Sequence, residues 1–268
     1  MNEDELRAIG FARWVVDRTS TDVVPSRWGR AYLDLEFPRR YDSNFLWVDG
    51  APADVTADGL VEEADRILGS RGMRHRSVLV DDPELARRLG MRFGELGWAV
   101  DALALMVLRG EPDRPRDRSL AAELPFAELR ALQEEHTRRS QWATDEEIVR
   151  MLADHREKLA RTIGARFFGA RVDGELAAMC ELYVHGDAAQ IESVETLEEF
   201  RNRGAASAVV LAAVEAARGS GATWIHLYAD ANDWPQRWYR RLGFVDRGGF
   251  WNFNRYPENQ ARSSAAPA

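Results

Sequence analysis

From Gly204 to Arg218 the chain reads GAASAVVLAAVEAAR, a stretch of helical periodicity with small or apolar residues on nearly every side. A helix without a polar face is stable in water only when it is buried. That requirement calls for a sheet to cover it, and strand-like runs stand on both sides, at Ala189–Thr196 and Trp224–Ala229. The chain is therefore expected to be an α/β protein built in layers.

The neighbouring segments agree with this. Leu120–Leu124 reads as a short strand, and Phe126–Arg138 and Asp145–Arg161 read as helices. Ala165–Val172 and Glu175–Val184 are strands joined by the hairpin dipeptide Asp173-Gly174. A short helix at Trp234–Leu242 stops at Gly243, a common helix terminator. The first half repeats the end of this pattern, with a strand at Phe45–Val48, a helix at Ala57–Leu68, a strand at Arg76–Val80 and a helix at Pro83–Leu96. Ala57 aligns with Ala205 and Arg76 with Trp224, each pair 148 residues apart, and Gly97 with Gly243, 146 apart. Three landmarks in nearly constant register indicate a duplicated domain. RGEPDRPRDR at 109–118 has two prolines and almost no apolar residue, so it reads as a linker. Domains are expected at 1–112 and 113–257, with a Ser/Ala/Pro-rich disordered tail at 258–268.

Composition narrows the function. The net charge of −8 argues against nucleic acid as a partner and favours cationic small molecules. No apolar run is long enough for a membrane span, so no membrane partner is expected. A lone cysteine, Cys180, rules out an internal disulfide framework. The acidic start MNEDELRAIG has no secretory layout, and the expected setting is cytoplasmic. The histidines at 75, 136, 155, 185 and 226 show no metal-ligand spacing, and no metal is expected.

The strongest chemical signal is Arg201-Asn202-Arg203-Gly204-Ala205-Ala206, which follows a strand and opens the buried helix. Such a turn points backbone N–H groups and a helix dipole at one place, an arrangement suited to a pyrophosphate. Gly204 lets a ligand approach the backbone, and the two arginines add positive charge. The hexapeptide resembles the Q/R-x-x-G-x-G/A acetyl-CoA loop of the GNAT superfamily of N-acetyltransferases, with Arg201, Gly204 and Ala206 at the specified positions. Asn232 and Tyr239-Arg240-Arg241-Leu242-Gly243-Phe244 resemble the later motif of that family. The resemblance spans about Arg118–Tyr256; the departure is Ala206 where glycine is commoner.

The resemblance implies tandem GNAT-like mixed β-sheets flanked by helices, with an active C-terminal copy. It also implies acetyl-CoA as co-substrate, held by Val194, Glu195 and Thr196 along the backbone, by Arg201–Ala206 at the phosphates, and by Asn232 and Tyr239. The sheet would splay between the strands ending near Thr196 and Ala229. A small-molecule primary amine, or a peptide N-terminus, would attack the thioester directly, aided by a backbone N–H near Val194 or Glu195. Tyr239 matches the general acid. Glu192, nine residues before Arg201, matches the base and also contacts the acceptor; Glu195 is the alternative, because a bulge could turn it inward. In a regular strand these two glutamates point to opposite faces. Trp142 sits where the family often covers its acceptor, with a core anchor as the other reading, and Trp234, Trp238 and Phe250–Phe253 are further candidates for lining the cleft or for ordinary aromatic packing. Cys180 reads as a core residue.

The first half lacks these chemical parts. Its loop region carries Asp49, Asp54 and Asp58, which would repel a pyrophosphate, and Phe93 stands where Tyr239 stands in the second half. It is expected to be a degenerate copy that supports the acceptor site. The rival functional reading is a non-catalytic acyl-CoA sensor or interaction module; a monomer or homodimer fits either.

Overall fold

A computed structural model describes residues 1–140, 142–232 and 234–257; the expected tail at 258–268 lies outside these described residues. The chain forms two compact units, each a mixed sheet flanked by helices. Of the described residues, one unit comprises Met1–Ala104 together with 248–257, and the other comprises Leu105–Arg247.

In the first unit, helix α1 (Glu3–Thr19) opens with a reciprocal cap. Asn2 Oδ1 accepts from Glu5 N at 3.0 Å, and Asn2 N donates to Glu5 Oε2 at 2.6 Å. Strands β1 (Asp22–Ser26), β2 (Gly29–Leu33) and β3 (Phe45–Val48) pair antiparallel in sequence. Helix α2 (Ala57–Ile67), capped by Thr56, carries the chain to β4 (Arg76–Val80), which pairs parallel with β3. Asp82 caps α3 (Pro83–Glu95), whose first residue is a proline suited to that position. The end of the last strand, β11 (Phe244–Arg255), lies antiparallel to β4. Strand β5 (Ala99–Leu108) begins in this unit. The α2/α3 side buries Leu60, Ile67, Leu85, Phe93 and Phe253, and the α1 side buries Tyr32, Phe45 and Trp47.

In the second unit the sheet order is β6 (Ala121–Glu123), β7 (Arg166–Val172), β8 (Glu175–His185), β9 (Ala188–Thr196), β10 (Trp224–Asp230). Helices α4 (Phe126–Arg138) and α5 (Glu146–Ile163) connect β6 to β7. The β7–β8 hairpin turns on Asp173 and Gly174, both left-handed at φ 53° and 87°, as a tight hairpin requires. The apolar helix, α6 (Ala205–Gly219), is buried along most of its length and packs on β7, β8 and β9. A short α7 (Pro235–Arg241) follows β10 and stops at the left-handed Gly243, φ 97°. Gly243 is irreplaceable for a second reason: a Cβ there would stand 2.3 Å from the Gly110 carbonyl oxygen. The segment read as a linker is tied down at this point, with Arg109 and Gly110 N–H donating to Gly243 O at 3.0 and 3.1 Å.

Candidate active site

The site begins where two parallel strands part. β9 and β10 pair over Ala188–Gln190 and Trp224–His226, and no further pair between them occurs among the described residues. Ile191–Thr196 therefore keeps its edge toward β10 clear of that strand, while its other edge is held by β8. A clear backbone edge of this kind can take an added extended ligand. Thr196 adds a buried hydroxyl with no hydrogen-bond partner among the described residues, at the end of that edge.

The phosphate-loop candidate lies just beyond. Asn202 and Gly204 are left-handed, at φ 62° and 87°, so the turn coils tightly before α6 starts at Ala205. Ala208 N–H donates to Gly204 O, which leaves the N–H groups of the first turn outside the helix's own bonding. A Cβ on Gly204 would meet only Leu120, at 4.0 Å, so the approach to this turn is open. Arg203 forms an ion pair with Asp173 of the β7–β8 turn at 2.5 Å, and Arg201 is exposed. Asn232 is exposed after β10, its N–H bonded to Asp230 Oδ1 at 2.7 Å.

The strand that carries the two glutamates is not regular. Glu181 pairs with Glu192 but Met179 pairs with Glu195, so Cys180 alone faces both Ser193 and Val194. Ser193 takes a left-handed φ of 50° to accommodate the extra residue. Opposite faces for Glu192 and Glu195, expected of a regular strand, are thereby overturned. Residues directly paired across a sheet share a face, and Glu181 and Met179 are two apart, so Glu192 and Glu195 emerge on the same side.

Their surroundings differ. Glu195 is buried and bound by Arg156 of α5 at 2.5 Å, with His136 of α4 at 3.7 Å from its other oxygen. Glu192 is half-buried at the point of strand divergence and accepts a 2.6 Å hydrogen bond from Gln190 Nε2. Its charge reaches two hydroxyl-bearing rings, Tyr228 and Tyr239. Burial first, and Glu192 second, push both phenols well above the ordinary tyrosine range. Tyr239 is buried on α7 between Trp238 and Phe244, and stays protonated at any working pH.

Tyr228 was not singled out from the sequence. It lies two residues beyond His226, as Glu192 lies two beyond Gln190, so the two stand on the same face across the opening. Alternation along β10 carries that signal, but only once the register with β9 is known. Arg156 and Glu181 were equally hidden: a charged residue inside an amphipathic helix and another inside an apolar strand read as solvated until their burial is seen.

Trp142 is half-buried in the α4–α5 loop, Trp238 is half-buried, and Trp234 is half-exposed. Phe250 and Phe253 belong instead to the first unit, where Phe253 stacks on Phe93 at 4.3 Å and Phe250 lies edge-on to Trp47. Cys180 is fully buried, its thiol pushed well above the ordinary range, which disfavours a nucleophilic role.

The corresponding places in the first unit are closed. β3 and β4 stay paired through Val48 and Val80 at the strand ends. Asp49 is bound to Arg13, Asp54 to Arg27 and the Trp28 indole, and Asp58 to Arg92. Phe93 is fully buried against Trp98 and Phe253.

Comparison with known proteins agrees with this layout. Residues 127–244 match the model of the acetyltransferase (GNAT) family. No curated protein is significantly similar to the chain in sequence. Among solved structures, a GCN5-related N-acetyltransferase from Kribbella flavida superposes with a TM-score of 0.65 at 17% identity, covering 95% of this chain and 96% of that one. A conserved protein of unknown function from Staphylococcus epidermidis ATCC 12228 gives a TM-score of 0.66 at 16% identity, covering 90% and 95%. A GCN5-related N-acetyltransferase from Sphaerobacter thermophilus gives 0.52 at 15% identity, covering 78% and 69%. At these identities the structures speak for the shared fold, which extends over both units, while the family model speaks for the second: residues 127–244 are a domain of the GNAT acetyltransferase family.

Proposed function

We propose that the protein transfers an acetyl group from acetyl-CoA to a primary amine by direct attack, using the second unit alone. The observation that carries this reading is the divergence of β9 from β10 after Gln190 and His226, with a phosphate-type turn beyond it and Glu192, Tyr228 and Tyr239 around it. The N–H groups opening α6 and Arg201 would hold the pyrophosphate. The edge of Val194–Thr196 would pair with the pantetheine arm, and a Val194 or Glu195 N–H would bind the carbonyl oxygen as negative charge develops on it.

Proton movement follows from the side chains. The attacking nitrogen forms a bond to the acetyl carbon as the carbon–sulfur bond breaks. Glu192, directly or through water, takes the proton the amine must lose. Tyr239, kept protonated by burial and by the nearby carboxylate, gives its proton to the departing thiolate. Glu195 contributes its backbone rather than its carboxylate, because Arg156 already binds that group. Trp142 and Tyr228 are assigned to the acceptor side. The first unit, with its strand ends paired and its aspartates bound, is read as a degenerate copy.

The test is thiol release from acetyl-CoA with pools of primary amines and peptides, followed by mass-spectrometric identification of the acetylated product. Binding of acetyl-CoA without thiol release from any pool would transfer the assignment to a sensor.

A further inference from the structure

Arg156 sits in the middle of α5 and is only 5% exposed. A guanidinium is kept in such a place only by close anionic partners. Its Nε lies 2.7 Å from Glu181 Oε1 and its Nη2 lies 2.5 Å from Glu195 Oε1. Tyr183 donates its hydroxyl to the other oxygen of Glu181. His136, beside Glu195, is pushed down to about 4 by burial and by the Arg156 charge, so it remains neutral and leaves the cation's task to Arg156.

The positions of the two carboxylates give the arrangement its meaning. Glu181 stands opposite Glu192, on one side of the bulge; Glu195 stands opposite Met179, on the other. One planar guanidinium thus grips the sheet immediately before and after the extra residue. Ser193 at φ 50° is a conformation that costs an L-residue roughly 1 kcal/mol or more. It persists only where the surroundings enforce it. Were the bulge to relax into a regular strand, Glu195 would turn to the opposite face and lose Arg156.

We propose that Arg156 is a positioning residue that clasps the β9 bulge and so aims the Val194–Glu195 amides at the reacting carbonyl. The proposal rests on the acetyl-transfer reading for its last step, and on the geometry of Arg156 for the rest. A lysine cannot replace it, because a point charge on a flexible stem does not span two carboxylates as a planar fork does.

Two variants test this. Arg156→Lys keeps the charge and loses the fork. The triple variant Arg156→Met, Glu181→Gln, Glu195→Gln removes all three charges, so no buried ion is left unpaired and folding is protected. Hydrogen exchange by mass spectrometry over 190–196 is measured beside kcat and KM for acetyl-CoA. Exchange in that segment should rise, and kcat should fall about 10- to 100-fold, the range expected of a small misplacement of catalytic groups. KM for acetyl-CoA should change less than kcat, because the phosphate turn is untouched and only the edge facing the pantetheine arm is loosened. Unchanged exchange in a folded variant overturns the clasp, and raised exchange with unchanged kcat overturns the positioning role. If the wild-type protein releases no thiol from acetyl-CoA, the acetyl-transfer reading fails separately, and exchange alone decides whether Arg156 holds the bulge.

Discussion

Glu192 and Glu195 emerge from the same face of β9, three residues apart, because Ser193 and Val194 together oppose the single residue Cys180. Sharing a face does not give them the same chemistry. Glu195 is buried in an ion pair with Arg156, whereas Glu192 is half-buried and its charge reaches Tyr228 and Tyr239. A carboxylate already gripped by a guanidinium is a poor proton acceptor, since protonating it breaks a charge-assisted bond.

The first prediction follows from that difference. Glu192→Gln should lower kcat by about 100-fold, a usual contribution of a general base. The loss should be greatest at low pH, where the acceptor is held as its ammonium form. Glu195→Gln still offers an oxygen to Arg156 and should stay within a few-fold of wild type. pH–rate profiles for both variants with one confirmed amine decide the matter; a larger loss for Glu195→Gln would reassign the base.

Tyr239→Phe removes one hydroxyl and keeps the ring between Trp238 and Phe244. Turnover should fall by about 100-fold while the affinity for acetyl-CoA stays near normal. A leaving group that needs no proton is the control: with a thioester of a much more acidic thiol, the variant should recover most of its rate. Equal loss on both thioesters would remove Tyr239 from proton transfer.

Much of this was legible in the residues themselves. Helix α2 starts at Ala57 and α6 at Ala205, and β4 and β10 start at Arg76 and Trp224, where apolar periodicity and local propensity put them. Gly97 and Gly243, the third aligned pair, are both left-handed, at φ 76° and 97°. Those features depend on a few neighbouring residues. The bulge does not: Ser193 has no special local preference for φ 50°, and the extra residue is set by pairing with β8. Arg156, Glu181 and Tyr228 were missed for the same reason, since their roles come from partners far away in the chain. Phe250 and Phe253 take the ordinary aromatic packing that the sequence allows beside a cleft role, but their destination in the first unit is set by tertiary contacts alone.

Coenzyme stoichiometry tests the asymmetry of the two units. Titration calorimetry should give one acetyl-CoA site per chain, because Asp49, Asp54 and Asp58 are occupied by arginines where a phosphate would bind. Gly204→Ala has space but must hold φ 87°, so it should cost about 1 to 2 kcal/mol in stability and still bind. Gly204→Glu adds a negative charge at the turn and should abolish binding in a folded protein. Normal affinity in that variant would place the phosphate site elsewhere.

Arg201 and Arg203 flank the same turn and should not contribute equally. Arg203 is already paired with Asp173, and that pair must loosen before the guanidinium can serve a phosphate. Arg201→Ala should therefore weaken acetyl-CoA more than Arg203→Ala, and Asp173→Asn should tighten it slightly at low salt. The measurement is affinity at two ionic strengths, since exposed charge contacts weaken with screening. Equal losses for the two arginines would show that the Asp173 pair has no influence.

The last prediction concerns acid stability and uses a residue outside the candidate site. His75, at the entrance to β4, is 1% exposed, stacks on Tyr41 at 4.0 Å and donates from Nε2 to the Asn44 carbonyl at 2.8 Å. Burial pushes its pKa down to about 4, so the folded protein holds it neutral where an unfolded chain, titrating at about 6.5, begins to protonate. Between those values the unfolded state binds more protons. Stability is therefore fully present above pH 6.5 and declines as the pH falls toward 4. A shift of this size corresponds to on the order of 3 kcal/mol over the whole window, with His136 of the second unit adding in the same direction. His75→Gln can keep the bond to Asn44 and cannot titrate. Urea unfolding midpoints measured from pH 7.5 to 4.5 should fall for wild type and fall less steeply for this variant. If the units unfold in separate steps, only the step belonging to Met1–Ala104 should change its slope. An identical pH dependence in both proteins would show that His75 is not among the groups that set acid sensitivity.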